Sequence, residues 1–241
     1  MLFIVPFFFQ MISGFIHNTL CDCKVDPDTK NPIKTGGLPR KKAIFLVFIF
    51  TFLSVASFLL VSRSVWSILA FLAYCLLWFF YNGFKLRLKE TLAGPLAASL
   101  GLFAGAPLIL IINYSSISLV TVCLFLGILF CFTGHEILHT ITDYDFDSKS
   151  GCKTFSVRLG VKSSRRIKLF VDLIGVMFLT LGFYLSESNG LLQIKGIAVF
   201  FSCLMLVALL LDRFFNQNSP IQKLYSLIRE ILLVYSVLIF K

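Results

Sequence analysis

Charge is scarce in this chain. Asp, Glu, Lys and Arg together make up 14% of its 241 residues, where a soluble domain carries about 25%. That scarcity excludes a water-solvated fold, and with it a soluble enzyme. It also excludes intrinsic disorder, which requires low hydrophobicity and high net charge. Acid is scarcer than base, with 12 Asp and Glu against 22 Lys and Arg. The bases nonetheless sit in short loops between long apolar runs, which is the pattern of a membrane orientation signal and not of a nucleic-acid face. No nucleic-acid partner is expected. Paired cysteine spacing is lacking as well. Of the seven Cys, an odd number, Cys75, Cys123, Cys131 and Cys203 lie inside apolar runs and read as small buried hydrophobes. Cys21-Asp22-Cys23 and the isolated Cys152 offer no CxxC, so neither a disulfide framework nor a structural cysteine–zinc site follows. No Lys or Arg precedes Lys24 and no small-residue cleavage pattern follows the first apolar run. That run therefore reads as a membrane span and not as a secretory signal.

What the chain has is hydrocarbon: 58% hydrophobic residues, 28 of them Phe, and a mean hydropathy of +0.90. A helix crossing the bilayer needs about 20 apolar residues. Eight stretches qualify, at 2–20, 43–62, 65–82, 91–112, 117–141, 167–186, 191–211 and 224–240. None alternates with period two, and each is about twice the length of a barrel strand. Unsatisfied backbone groups in lipid leave the helix as the spanning element. The expectation is an all-α integral membrane protein, one polytopic domain over 1–241. Three polar connections, Asp22–Lys42, Asn82–Glu90 and Thr142–Lys168, hold 6, 3 and 7 Lys or Arg. With eight spans all three fall on one side, and the Lys/Arg excess marks that side as cytoplasmic. The opposite turns carry a single Arg, Arg63.

In these inner loops, or beside them at the cytoplasmic end of a span, lie eight of the twelve acids: Asp22, Asp26, Asp28, Glu90, Glu136, Asp143, Asp145 and Asp147. Spacings of four put Asn18, Asp22 and Asp26 on one helical face at the end of the first span, and likewise Asp143 and Asp147 at the end of the fifth. Tyr81 and Lys85 stand one turn apart between them. For any one Asp, helix-end solvation or pairing with a nearby lysine is account enough. Two such clusters are different, because acids at a helix C-terminus oppose the macrodipole unless a cation is expected. Mg²⁺ takes oxygen ligands and fills its shell with substrate phosphate and water. Two acidic mouths with bases between them suit a diphosphate held by Mg²⁺.

These residues resemble the UbiA superfamily of intramembrane prenyltransferases. Asn18-Thr-Leu-Cys-Asp22-Cys-Lys-Val-Asp26, followed by Asn31-Pro-Ile-Lys-Thr-Gly36, is similar to its NDxxDxxxD signature and basic loop. Asp143-Tyr-Asp-Phe-Asp147, with Gly151, Thr154 and the close Val157-Arg158-Leu-Gly160, resembles its more specific DxxxD signature, and Tyr81 with Lys85 its Tyr-x-x-x-Lys element. Two positions depart: Thr19 stands where the family usually has a second Asp, and Asn31 where it usually has Arg. Family members typically have nine helices. This chain starts at what resembles their second, so the expectation is that either the first helix is absent or the recorded start lies downstream of it.

The resemblance implies helices around a central cavity, open sideways to lipid and capped by the cytoplasmic loops, in the cell (inner) membrane. It implies Mg²⁺-dependent transfer of a prenyl group from an allylic prenyl diphosphate to a lipophilic or aromatic acceptor. Asn18, Asp22, Asp26, Asp143 and Asp147 would hold the metal. Tyr81 and Lys85 would assist the chemistry, and Asn18, Lys30, Lys34, Lys153 and Arg158 would contact the diphosphate.

One competing signature is present. His135-Glu136-Ile-Leu-His139 satisfies HExxH, in which two His bind Zn²⁺ and Glu activates water. An intramembrane zinc protease is the alternative expectation. Asp145 falls where a metzincin has its third ligand, but Thr142 replaces the glycine of that motif's turn. HExxH fixes three positions, whereas the second prenyltransferase signature fixes about seven.

The basic loops set a topology that can be measured. A membrane-impermeant thiol reagent is expected to reach Cys152, in the 142–166 loop, from the cytoplasmic side; labelling from the outer side alone would invert the orientation.

Overall fold

The protein is described by a computed structural model covering residues 3–26, 31–83, 87–114 and 117–185. Those residues are helical, with no strand among them. Five helices are long and apolar enough to span a membrane: α1 (Ile4–Cys21), α2 (Arg40–Val61), α3 (Val65–Asn82), α6 (Leu119–Thr142) and α9 (Val161–Leu185). Between α3 and α6 lie α4 (Gly94–Ser99) and α5 (Gly105–Tyr114), joined by a π-helical turn over Leu100–Ala104. Two short helices, α7 (Tyr144–Lys149) and α8 (Phe155–Leu159), lie between α6 and α9. The spans expected at 191–211 and 224–240 lie outside the described residues.

The unbroken span expected over 91–112 is in fact bent, by 54° between Gly94–Leu102 and Gly105–Tyr114. The run is continuously apolar, so hydropathy gives no warning of the break. The backbone does: Pro107 has no N–H to donate into the preceding turn, and a Cβ on Gly105 would come within 2.3 Å of the Leu100 carbonyl oxygen. Helix α9 begins at Val161, earlier than the expected 167, because its charged first turns continue as helix from Gly160.

Helix starts follow ordinary capping rules. Ser64 accepts from the Trp66 N–H at the head of α3, and Ser118 accepts from the Thr121 N–H at the head of α6. Serines also join helices where water is excluded. Ser54 of α2 donates to the Pro6 carbonyl of α1 at 2.7 Å, and Ser13 of α1 shares a 2.7 Å hydrogen bond with Thr51. Asn113 at the end of α5 accepts from the Arg63 N–H and the Ser67 hydroxyl, both at 2.8 Å, and so anchors the α2–α3 turn. The outer faces are lipid-facing: Phe48 and Phe52 of α2 are each 71% exposed. Inside, Phe7, Phe58, Phe71, Tyr74, Trp78 and Ile109 form one buried cluster, with Phe58 and Phe71 stacked at 4.0 Å.

Helices α6 and α9 approach most closely along a seam of glycines, Gly127 and Gly134 on α6 and Gly175 and Gly182 on α9. A Cβ on Gly127 would lie 2.6 Å from Leu179, and one on Gly175 would lie 2.8 Å from the Cys131 backbone nitrogen. Small residues on the seam let the backbones close where no hydrophobic effect drives them together. Gly134 also makes room for a charge. Its missing Cβ would stand 1.8 Å from Asp172 Oδ1, and Asp172 accepts at 2.8 Å from Lys168 one turn earlier in α9, both side chains being buried.

Gly134→Ala is therefore expected to destabilise the bundle by about 1–3 kcal/mol through overpacking, while Ala at exposed Ser148 leaves it unchanged. Unfolding midpoints in one detergent check this; an unaltered Gly134→Ala midpoint would contradict the seam.

Candidate active site

Helix α1 ends at Cys21, and Asp22 opens a 3₁₀ turn over Asp22–Lys24 from which the Asp26 N–H donates back to the Asp22 carbonyl at 2.9 Å. Asp22 is 7% exposed, a burial that a carboxylate tolerates only when paired. It is paired twice, with Arg87 and with Lys89. Lys89 also donates to Asn18 Oδ1 at 3.1 Å, and Arg87 pairs with Glu90 at 2.6 Å. The short turn Leu88–Glu90 after α3 thus clamps the end of α1. Sequence reasoning placed this role on Lys85, which lies outside the described residues, and missed Arg87 and Lys89. The signal present was the Lys-x-Arg-x-Lys alternation, three bases facing an acidic helix end.

Asp26 is held differently. The side-chain amide of Asn31 donates to Asp26 Oδ2 and to the Thr19 carbonyl, each at 2.9 Å, while its oxygen accepts from the Ile33 N–H. Asn31 is 1% exposed. Where the resembled family usually has Arg, this chain has a neutral fork that ties the loop to α1. Lys34 meets the Asp26 carbonyl oxygen at 2.6 Å and is exposed; Lys30 lies outside the described residues.

The second acidic segment departs from the expectation that it ends the long span. Helix α6 stops at Thr142, Asp143 is the junction, and Asp145 and Asp147 occupy the first turn of α7. Acids there complement a helix start and do not oppose a helix end. Asp147 N–H still donates to the Asp143 carbonyl at 2.9 Å, so the two keep helical spacing across the junction. At the end of α7, Gly151 has φ +75°, a left-handed turn that glycine takes without strain. The chain doubles back, and the Thr154 hydroxyl donates to Asp147 Oδ2 at 2.8 Å. Arg158 Nε donates to the carbonyls of Glu90 and Lys153 at 2.7 and 2.9 Å, pinning this loop to the one after α3.

These elements enclose a cavity of about 270 Å³ lined by Asp22, Asp26, Asp143, Asp147 and Tyr81, together with Lys89, Glu90, Glu136, His139 and Thr154. Four of the expected metal-binding acids thus meet at one place. Asp145, Lys34, Lys153 and Arg158 are not among its lining residues. A second, apolar cavity of about 220 Å³ is lined by Phe15, Leu77, Trp78, Leu102 and the small residues Ala97, Ala98 and Gly101. Asn18 lines this one, and Tyr81 and Lys89 line both. Gly14 and Gly101 accommodate the Trp78 indole between them, and the indole N–H donates to the Gly101 carbonyl at 3.1 Å.

Burial and charge crowding both act on Asp147. Burial first, then the neighbouring charges of Asp143 and Asp22, push its carboxyl above the ordinary range, against the pull of the Thr154 hydroxyl and of Lys89. Cys152 is buried, and burial pushes its thiol up too. Exposed Ser148, changed to Cys, is therefore the better position for labelling this loop.

A family model described as the UbiA prenyltransferase family matches residues 1–228. No curated protein matches the chain in sequence. Among solved structures, it resembles a UbiA homologue from Archaeoglobus fulgidus bound to DMAPP and Mg²⁺, with TM-score 0.73 and 19% identity over 99% of this chain and 86% of that one. The GPP- and Mg²⁺-bound form of that homologue gives TM-score 0.71 and 20% identity, with the same coverage. A digeranylgeranylglyceryl phosphate synthase gives TM-score 0.76 and 20% identity over 98% of this chain and 84% of that one.

Proposed function

The chain belongs to the UbiA prenyltransferase family, and on that premise we propose that it transfers a prenyl group from an allylic prenyl diphosphate to a lipophilic or aromatic acceptor within the membrane. The observation that carries this reading is the pair of adjoining cavities, one acidic and one apolar, with Tyr81 and Lys89 in the wall of both. A prenyl diphosphate is itself such a pair, a polyanion joined to a hydrocarbon. The similar structures bound to GPP or DMAPP with Mg²⁺ support the same assignment.

The residues present fit Mg²⁺. Asp22, Asp26, Asp143 and Asp147 offer only oxygen donors, the set a hard cation prefers, and positive charge between them would offset the Asp143 and Asp22 charges that add to burial in raising Asp147. These four would hold the ion, with Asn18 beside them. When bound, Mg²⁺ supplies Lewis acidity that neutralises the charge growing on the diphosphate leaving group. Lys89, in contact with both Asn18 and Asp22, holds a fixed ammonium where the two cavities meet. Lys34, Lys153 and Arg158, with Lys30 and Lys85 outside the described residues, add positive charge in these loops that attracts the polyanion. Phe15, Leu77, Trp78 and Leu102 bury the prenyl chain at about 0.8 kcal/mol per CH₂ and keep water from the allylic cation. Tyr81 lines both cavities where they meet, and an Asp near the cavity receives the proton the acceptor loses. The zinc-protease reading of His135-Glu136-x-x-His139 is not carried forward, because the family is that of the prenyltransferases. We also propose that the acidic cavity opens to the cytoplasmic side of the cell (inner) membrane, a reading supported by 16 of the 22 Lys and Arg falling in the three polar connections.

Asp22→Asn, Asp26→Asn, Asp143→Asn and Asp147→Asn are each expected to lower turnover by orders of magnitude with the protein still folded. Each removes charge from a site worth several kcal/mol to the transition state, at about tenfold in rate per 1.36 kcal/mol. Asp145→Asn, exposed and outside the cavity lining, is expected to be mild. Turnover of an allylic diphosphate in liposomes tests this. Essential Asp145 with dispensable Asp143 and Asp147 would undo the assignment.

A further inference from the structure

We propose that His135, Glu136 and His139 form a second metal site, selective for a borderline transition ion of the Zn²⁺ class and separate from the carboxylates assigned to Mg²⁺. The two imidazoles lie one turn apart on α6 with their Nε2 atoms 3.0 Å apart and their rings at 82°. Two nitrogens each about 2.0–2.1 Å from a shared ion stand about 2.9–3.3 Å apart for bond angles between square and tetrahedral, so the spacing already matches a chelate. One ligand atom from each of the three residues lies within 4.8 Å of the others. His139 is exposed and Glu136 half-buried.

Donor chemistry separates this site from its neighbour. Two imidazoles and one carboxylate suit Zn²⁺, Cu²⁺, Ni²⁺ or Co²⁺, whereas an all-carboxylate set suits Mg²⁺. Three protein ligands leave a fourth tetrahedral position open, the pattern of a zinc site that admits an exogenous ligand. Glu136 and His139 line the acidic cavity, as does Asp143, one helical turn beyond His139. The site does not depend on the prenyl-transfer reading, and its test is read from bound metal and not from turnover.

The full chain in nanodiscs, given one equivalent of Zn²⁺ and passed over a desalting column, is expected to retain about one zinc per chain by elemental analysis. His135→Ala and His139→Ala are expected to weaken zinc binding by about tenfold or more, and Asp143→Asn and Asp147→Asn to retain it. Should the His variants fail to fold, the wild-type chain answers alone: Co²⁺ is expected to give the intense visible absorption of a tetrahedral nitrogen and oxygen site, displaced by Zn²⁺ but not by Mg²⁺. Absence of that spectrum would overturn the site. So would zinc that follows the Asp substitutions and not the His ones.

Discussion

Like charges at the edge of a hydrocarbon layer repel more strongly than in water, and this chain confines six carboxylates, four of them Asp, to one cavity of about 270 Å³. Its geometry is a set of answers to that repulsion. Asp22 is met by Arg87 and Lys89, Asp26 by the Asn31 amide, and Asp147 by the Thr154 hydroxyl. The partners arrive on three loops, Arg87 and Lys89 together on one and Asn31 and Thr154 on the others, so the loops are held in place by the acids they serve. What the protein's own donors leave over is negative charge aimed at one space, and a divalent cation with a diphosphate has the complementary form.

The apolar half depends on close approach. Glycines along α6 and α9 let those helices touch, and Gly14 and Gly101 flank the Trp78 ring that lines the apolar cavity. That cavity meets the acidic one at Tyr81 and Lys89, so one molecule with a polyanionic head and a hydrocarbon tail can occupy both without exposing either end to the wrong solvent.

Much of this was legible in the residues. Continuous apolar runs gave α1, α2, α3 and α6 to within a few positions, because in lipid the helix is the only way to satisfy a lone spanning backbone. The spacing of four grouped Asp22 with Asp26 and Asp143 with Asp147, and all four line the acidic cavity, whereas Asn18, grouped with the first pair, lines the apolar one. Illegible were features that hydropathy does not encode. The break in the Gly94–Tyr114 span occurs in an unbroken apolar stretch, and the junction at Asp143 looks, by periodicity, like more of the same helix. Arg87 and Lys89 were hidden because pairing across 65 and 67 residues is set by where the loop after α3 lands on the end of α1. Asn31 read as a lost charge; buried, it is a three-way hydrogen-bonding anchor.

The central claim, that a divalent ion and the diphosphate share the acidic cavity, is tested most directly by phosphorus NMR of a non-ionisable prenyl thiolodiphosphate bound to the chain in nanodiscs. With Mn²⁺ in place of Mg²⁺, both phosphorus signals are expected to broaden by paramagnetic relaxation, and to sharpen again in Asp147→Asn. Equal binding of the thiolodiphosphate with and without divalent ion, with no broadening by Mn²⁺, would contradict it.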